Sequence, residues 1–279
     1  MIKIVSDTST MYNTKEAEEL GFSVSPLYVT VDQKGYRELE DIQTERFIEL
    51  INQGNIPTSS QPAIGDVHRL YEEYFEDEII NICMAHGLSG TYQSAVAAAK
   101  MSDNSEHIHV INSRTLCGPH RYMVENAVKM VKEGHPVEAI IHKTEELMDT
   151  ARSFLIPSDF AYLRRGGRLS PVVSYVGQAT KFAPVMTQTD NGEQLIVARV
   201  CRNFKTAIEF VSDKLIKAGV GEGWKVYITH GGVEELADKA KDILTSKIPN
   251  AVYEKLILTP AFVTQGGPGC VAVQYIKMA

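Results

Sequence analysis

The segment His86-Gly87-Leu88-Ser89-Gly90-Thr91-Tyr92-Gln93-Ser94 places hydroxyls among glycines directly after an apolar run at 79–84. Glycines let the backbone come close to a ligand, and a helix start offers unpaired N–H groups with partial positive charge. With Ser89 and Thr91 as added donors, this loop suits an anion such as a carboxylate or a phosphate. A plainer role for Ser89 is to cap the helix that follows. The loop also invites comparison with a hydrolase nucleophile elbow, G-x-S-x-G. Here Gly90 follows Ser89 immediately and position 91 is threonine, although Asp159 and His230 come later in the order an α/β-hydrolase uses. A lipid-active serine hydrolase built on Ser89 is therefore the alternative to a binding protein.

Three further clusters carry polar or glycine-rich chemistry. In Pro57-Thr58-Ser59-Ser60-Gln61-Pro62, two prolines restrict the backbone around three consecutive hydroxyls. Ser59 and Ser60 are candidates to donate to the same anion as Ser89; a solvated turn is the plainer reading. Tyr162-Leu163-Arg164-Arg165-Gly166-Gly167-Arg168-Leu169-Ser170-Pro171 sets three arginines around a glycine pair, with Ser170-Pro171 as a helix start. Arg165 and Arg168 could hold an anionic head group, a phosphorylated metabolite or an acidic partner. In Thr264-Gln265-Gly266-Gly267-Pro268-Gly269, Gln265 is the only long polar side chain. The cysteines, Cys83, Cys117, Cys201 and Cys270, are widely separated and read as buried free thiols, and the eight histidines form no H-E-x-x-H cluster. No metal, no cofactor and no catalytic residue are expected.

These loops need elements to hold them. The first half alternates strand-like runs (2–6, 24–31, 78–84, 109–112) with helical patterns (13–20 with Asn13 as N-cap and Glu16 in the capping-box position, 44–51 with Thr44 as cap, 95–100, 122–132, and 136–148 opening on Pro136). Such alternation predicts an α/β fold with a parallel sheet and helices on both faces. The second half changes character. Asp190-Asn191-Gly192 between 183–188 and 193–200 predicts a hairpin and a mixed sheet, followed by helices at 204–217 and 234–243 and strands at 225–229, 253–258 and 271–275. With 279 residues, two directly packed domains are expected, 1–152 and 153–279, with the ligand in the cleft between them. A net charge of −7 argues against non-specific nucleic-acid binding. The start of the chain lacks the apolar core of a signal peptide and no apolar run reaches membrane-spanning length, so a cytoplasmic protein is expected.

Together the clusters resemble the DegV family of bacterial fatty-acid-binding proteins. The matching pieces are Ser6-Asp7-Thr8-Ser9, Thr58-Ser59-Ser60-Gln61-Pro62, Gly87-Leu88-Ser89-Gly90-Thr91-Tyr92, Asn112-Ser113-Arg114, the segment 162–170 and Gly267-Pro268-Gly269. They occur in family order across nearly the whole chain. The resemblance implies a Rossmann-like N-terminal domain and a smaller α+β C-terminal domain. Between them it implies one long-chain saturated or monounsaturated fatty acid, which some members present to a separate kinase subunit. It puts the carboxylate on Ser59, Ser60, Ser89, Gly90 and Thr91, with Gln265 at a further carboxylate-binding position, and Arg168 near the head group or a docking face. Two departures stand out: Gln265 occupies the place of the family's usual His, and His86 stands where Ser is common. With Gln265 there, head-group affinity should depend less on pH than with His. The energetics favour a carrier. At about 0.8 kcal/mol per buried methylene, a dozen methylenes contribute on the order of 10 kcal/mol, and neutral hydroxyl donors can satisfy the carboxylate without a catalytic base.

Overall fold

The computed structural model describes residues 1–169, 182–189 and 192–279. The expected helix start at Ser170-Pro171 and the turn residues Asp190 and Asn191 lie outside the described residues.

In the first half, β1 (Ile2–Asp7) leads to α1 (Thr14–Leu20), β2 (Ser23–Ser25), β3 (Tyr28–Val31), β4 (Lys34–Arg37), α2 (Thr44–Asn52), β5 (Thr58–Ser60) and α3 (Ile64–Glu72). Then follow β6 (Glu78–Cys83), α4 (Thr91–Met101), β7 (Ile108–Asn112), α5 (Cys117–Lys132) and α6 (Val137–Thr150). The second half holds β8 (Arg152–Ile156), α7 (Phe160–Gly166), β9 (Ala183–Gln188), β10 (Leu195–Cys201), α8 (Phe204–Lys217) and β11 (Trp224–His230). It closes with α9 (Glu234–Lys247), β12 (Val252–Ile257), α10 (Pro260–Gly266) and β13 (Val271–Lys277).

β2-β1-β6-β7 form a wholly parallel sheet. Side chains alternate across its faces, as the two-residue period of a strand requires. Ile4, Ile80 and Ile82 enter one core with Met123 and Val124 of α5, whereas Val5, Ile79 and Cys83 enter another with Val67 and Tyr71 of α3 and Ala95 and Ala98 of α4. The six-stranded sheet, β10-β9-β8-β13-β11-β12, is mixed, with only the β11–β12 pair parallel. One of its faces receives Ala207, Ile208 and Val211 of α8 and Ala240 and Leu244 of α9. The other contributes Tyr227 and Ile276 to the core that α5 and α6 share with the parallel sheet. The result is a stack of five layers, helix–sheet–helix–sheet–helix, in which the α5–α6 layer serves both sheets. All strands of the mixed sheet come from residues 152–277. Among the described residues no helix is long and apolar enough to cross a membrane.

Several expectations are sharpened by local chemistry. Asn13 and Glu16 make the capping box: Glu16 N donates to Asn13 Oδ1 (2.8 Å) and Asn13 N to the Glu16 carboxylate (3.0 Å). The run 24–31 breaks at Pro26 into β2 and β3, which join different sheets. Gln43, not Thr44, is the N-cap of α2; the Thr44 hydroxyl instead donates to Leu258 O (2.9 Å), tying α2 to the second half. Pro136 likewise sits one residue before α6, at its N-cap. The Pro57–Pro62 cluster contains β5, an edge strand of a small antiparallel sheet, β4-β3-β5. All four cysteines are buried free thiols.

Candidate functional site

At the carboxyl end of β6, where ligands commonly lie in parallel sheets, a cavity opens between the two halves. Its wall is built mainly of apolar side chains, among them Met84, Leu88, Leu155, Leu163, Met186 and Phe262. Most polar side chains on the wall are already engaged with protein. Gln274 Nε2 donates to Ser153 Oγ (3.1 Å) and Leu116 O (3.2 Å), Gln274 Oε1 accepts from Gly118 N (3.3 Å), and the Thr187 hydroxyl donates to Ser153 O (2.9 Å).

Two wall residues differ. Arg168 is half-buried, with Nε donating to Leu88 O (3.1 Å) and Nη1 to Gly166 O, and it pairs with no carboxylate among the described residues. Burial pushes its pKa down, as expected for a cation that has lost water. Gln265, on α10, donates from Nε2 to Ser59 Oγ (3.1 Å), and its Oε1 is buried without a partner. Gly166 makes room for it, since a Cβ there would lie 1.9 Å from Oε1.

Arg168 also lines a second, more open and polar pocket with His86, Gly87, Ser89, Gly90, Gln61 and Gly167. The structure thus brings the Ser89 loop, the Gly166-Gly167-Arg168 turn and the end of α10 around one guanidinium. Gly87 permits this closeness: a Cβ there would fall 2.1 Å from Glu193 Cα, so the β9–β10 hairpin presses directly on the serine loop. Ser89 Oγ is hydrogen-bonded to Thr91 Oγ1 (2.8 Å) and accepts from Thr91 N (3.3 Å), which is close to the capping role. Thr91 itself is buried behind the loop. Ser59 reaches the site through Gln265, while Ser60 is exposed on β5 and lines neither pocket. Arg165 is exposed and stacked on the Tyr162 ring (4.4 Å), outside both linings. His86 is the site residue that motif reading noted only as a departure; it lines the open pocket with Nδ1 buried and unpartnered.

The partners needed for hydrolysis are engaged elsewhere. Asp159 caps α7 by accepting from Ala161 N (2.8 Å), and His230 Nδ1 accepts from Val233 N (3.1 Å). A serine–histidine contact does exist, between Ser9 Oγ and His120 Nδ1, but both residues are fully buried and His120 Nε2 lies 3.0 Å from Ile82 O. Burial lowers the His120 pKa. The Ser6-Asp7-Thr8-Ser9 motif is consumed by this internal network, with Asp7 accepting from Ser9 N and Met84 N (2.9 Å each).

Thr8 continues the network to Glu38, whose Oε1 accepts from the Thr8 hydroxyl (2.5 Å) and whose Oε2 accepts from Ala261 N (2.8 Å) at the start of α10. Glu38 thereby fixes the helix that carries Gln265. Burial pushes its pKa up to about 7. A folded-state value above the unfolded one means that stability is lost as pH rises from about 4.5 to 7, by on the order of 3 kcal/mol, and is level above that. Glu38→Gln should remove this slope. In urea titrations, the stability difference between variant and wild type should shift in the variant's favour by on the order of 2–3 kcal/mol between pH 5 and 8, whatever constant offset the amide introduces. Parallel curves would contradict the assignment.

The family described as "Uncharacterised protein, DegV family" matches residues 1–278. A DegV domain-containing protein of Listeria innocua is 30% identical over 281 residues, covering 98% of each chain. Among solved structures, DegV of Bacillus subtilis, a fatty acid binding protein, shares 28% identity over 99% of each chain with a TM-score of 0.87. A DegV family protein of Thermus thermophilus, described for its fatty acid binding, shares 25% identity over 99% of each chain with a TM-score of 0.88. The chain belongs to the DegV family.

Proposed function

We propose that this protein binds one long-chain fatty acid, its acyl chain in the apolar cavity and its carboxylate at the Arg168–Gln265 end beside the Ser89 loop. The observation that carries the reading is a guanidinium with no carboxylate partner among the described residues, at the rim of a mainly apolar cavity. An apolar chain fills the space, and a carboxylate supplies an anion for Arg168. The fatty-acid-binding relatives from Bacillus subtilis and Thermus thermophilus support it. The protein acts as a carrier without chemistry of its own and hands the acid to a separate kinase subunit. Exposed Arg165, beside the open pocket, is available to such a partner.

Titration of delipidated protein with hexadecanoic acid should show one saturable site per chain, competed by other long-chain acids but not by inorganic phosphate. Competition by phosphate alone would favour a phosphorylated-metabolite site. A fluorophosphonate probe should leave Ser89 unlabelled; labelling that disappears in Ser89→Ala would instead establish a hydrolase.

A further inference from the structure

The polar atoms at the head of the cavity are of two kinds. Arg168 offers only N–H donors, two of them committed to Leu88 O and Gly166 O. Gln265 offers Oε1, which among the described residues is the buried, unpartnered side-chain atom on this cavity's wall. An ionised carboxylate has acceptors alone. It suits Arg168 and leaves Gln265 Oε1 facing a like partial charge, unless the amide turns over.

Turning over is open to this residue because of what holds it. Gln265 is tied through a hydroxyl, Ser59 Oγ, and a hydroxyl both donates and accepts. With Nε2 toward Ser59, the free atom is an acceptor. After a half-turn of the amide, the Ser59 hydroxyl donates to Oε1 and the free atom is the Nε2 donor. The two settings are nearly the same in shape, and the Ser59 bond survives in both. Gly166 leaves the space in which either atom sits.

We infer that the Ser59–Gln265 pair makes this site accept uncharged acyl ligands whose head group both donates and accepts, such as a primary fatty amide or the protonated acid, alongside the ionised acid. This rests on the cavity's being an acyl site and names a further ligand class for it. A primary amide places its carbonyl oxygen on Arg168 and its NH2 on Gln265 Oε1, so both polar partners are satisfied with no net charge brought in. An ionised acid uses the turned-over amide. A methyl ester, which has no donor, leaves Oε1 unpaired in the first setting and fits only the second.

The test is displacement of a bound fluorescent fatty acid at pH 7.5 by tetradecanoic acid, tetradecanamide and methyl tetradecanoate, all delivered from cyclodextrin. The amide is expected to bind within tenfold of the acid. Gln265→Leu, which removes both polar atoms at similar size, should weaken the amide at least tenfold and the acid by less, because Arg168 still holds the carboxylate. Thermal melting establishes that the variant is folded; the wild-type ratio decides the question without it. Acid binding with no amide displacement at a hundredfold higher concentration would overturn the inference and leave the fatty-acid reading standing. An unchanged acid-to-amide ratio in folded Gln265→Leu would likewise overturn it. Failure of the acid itself would remove the underlying reading, and this inference with it.

Discussion

Replacing Arg168 by Leu is expected to weaken binding of a long-chain fatty acid at pH 7.5 by roughly tenfold to a hundredfold, as read by displacement of a fluorescent analogue. The magnitude follows from the value of a hydrogen bond to a charged group, about 1.5–3 kcal/mol. Arg168 is half-buried with no carboxylate partner among the described residues, and burial pushes its pKa down. Arg168→Lys should recover only part of the affinity, since a point charge lacks the guanidinium fork and cannot reach Leu88 O in the same geometry. The loss should be larger for ligand acids than for the methyl ester, whose neutral carbonyl makes the weaker hydrogen bond, and this separates a head-group effect from collapse of the cavity. Equal losses for acid and ester would place the effect in folding instead.

The second large effect is expected from Ala272→Phe. Ala272 lies on β13, 7% exposed, with its methyl on the cavity wall. A phenyl group grown from this position enters the space assigned to the acyl chain and gains apolar contacts there that water or a ligand would otherwise supply. Binding should fall below detection, more than a hundredfold, while the melting temperature of the unliganded protein stays within a few degrees of wild type or rises. Retained binding with normal stoichiometry would move the acyl chain out of this cavity. A collapse in melting temperature would show that the space is too small for the ring, as happens when a packed core is overfilled.

Much of the scaffold was legible because its signals are local. The Ile79–Cys83 stretch is apolar at every position but Asn81, as suits a strand buried on both faces. Asn13 with Glu16 announces a helix start by side chains that reach their own backbone. The missed elements had weak or misleading local signals. Residues 57–62 look like a turn because of two prolines and three hydroxyls, yet Val29, across the sheet, recruits Ser59 as an edge strand. α10 is only seven residues long and is held from outside, by Glu38 on Ala261 N. No periodicity in its own sequence encodes that.

The site divides in the same way. The glycine and hydroxyl clusters pointed to the Ser89 loop and to Arg168, since close approach and charge are properties of residue type. The cavity wall was invisible. Met84 and Met186 read as ordinary strand residues, Leu155 falls in a stretch where no element is expected, and the stacking of two sheets about the α5–α6 layer leaves space among them. Which hydroxyls face that space is likewise a matter of tertiary placement. Ser59 touches Gln265 and Ser60, its neighbour, points to solvent because successive strand residues face opposite ways.

The most direct measurement is denaturing extraction of the purified, never-delipidated protein followed by mass spectrometry, run beside Ala272→Phe prepared identically. The account predicts saturated or monounsaturated long-chain fatty acids at close to one per chain from the wild type, and little or none from the variant. Repeated absence of fatty acid from wild type purified from a native-like host, or equal recovery from both proteins, would contradict it.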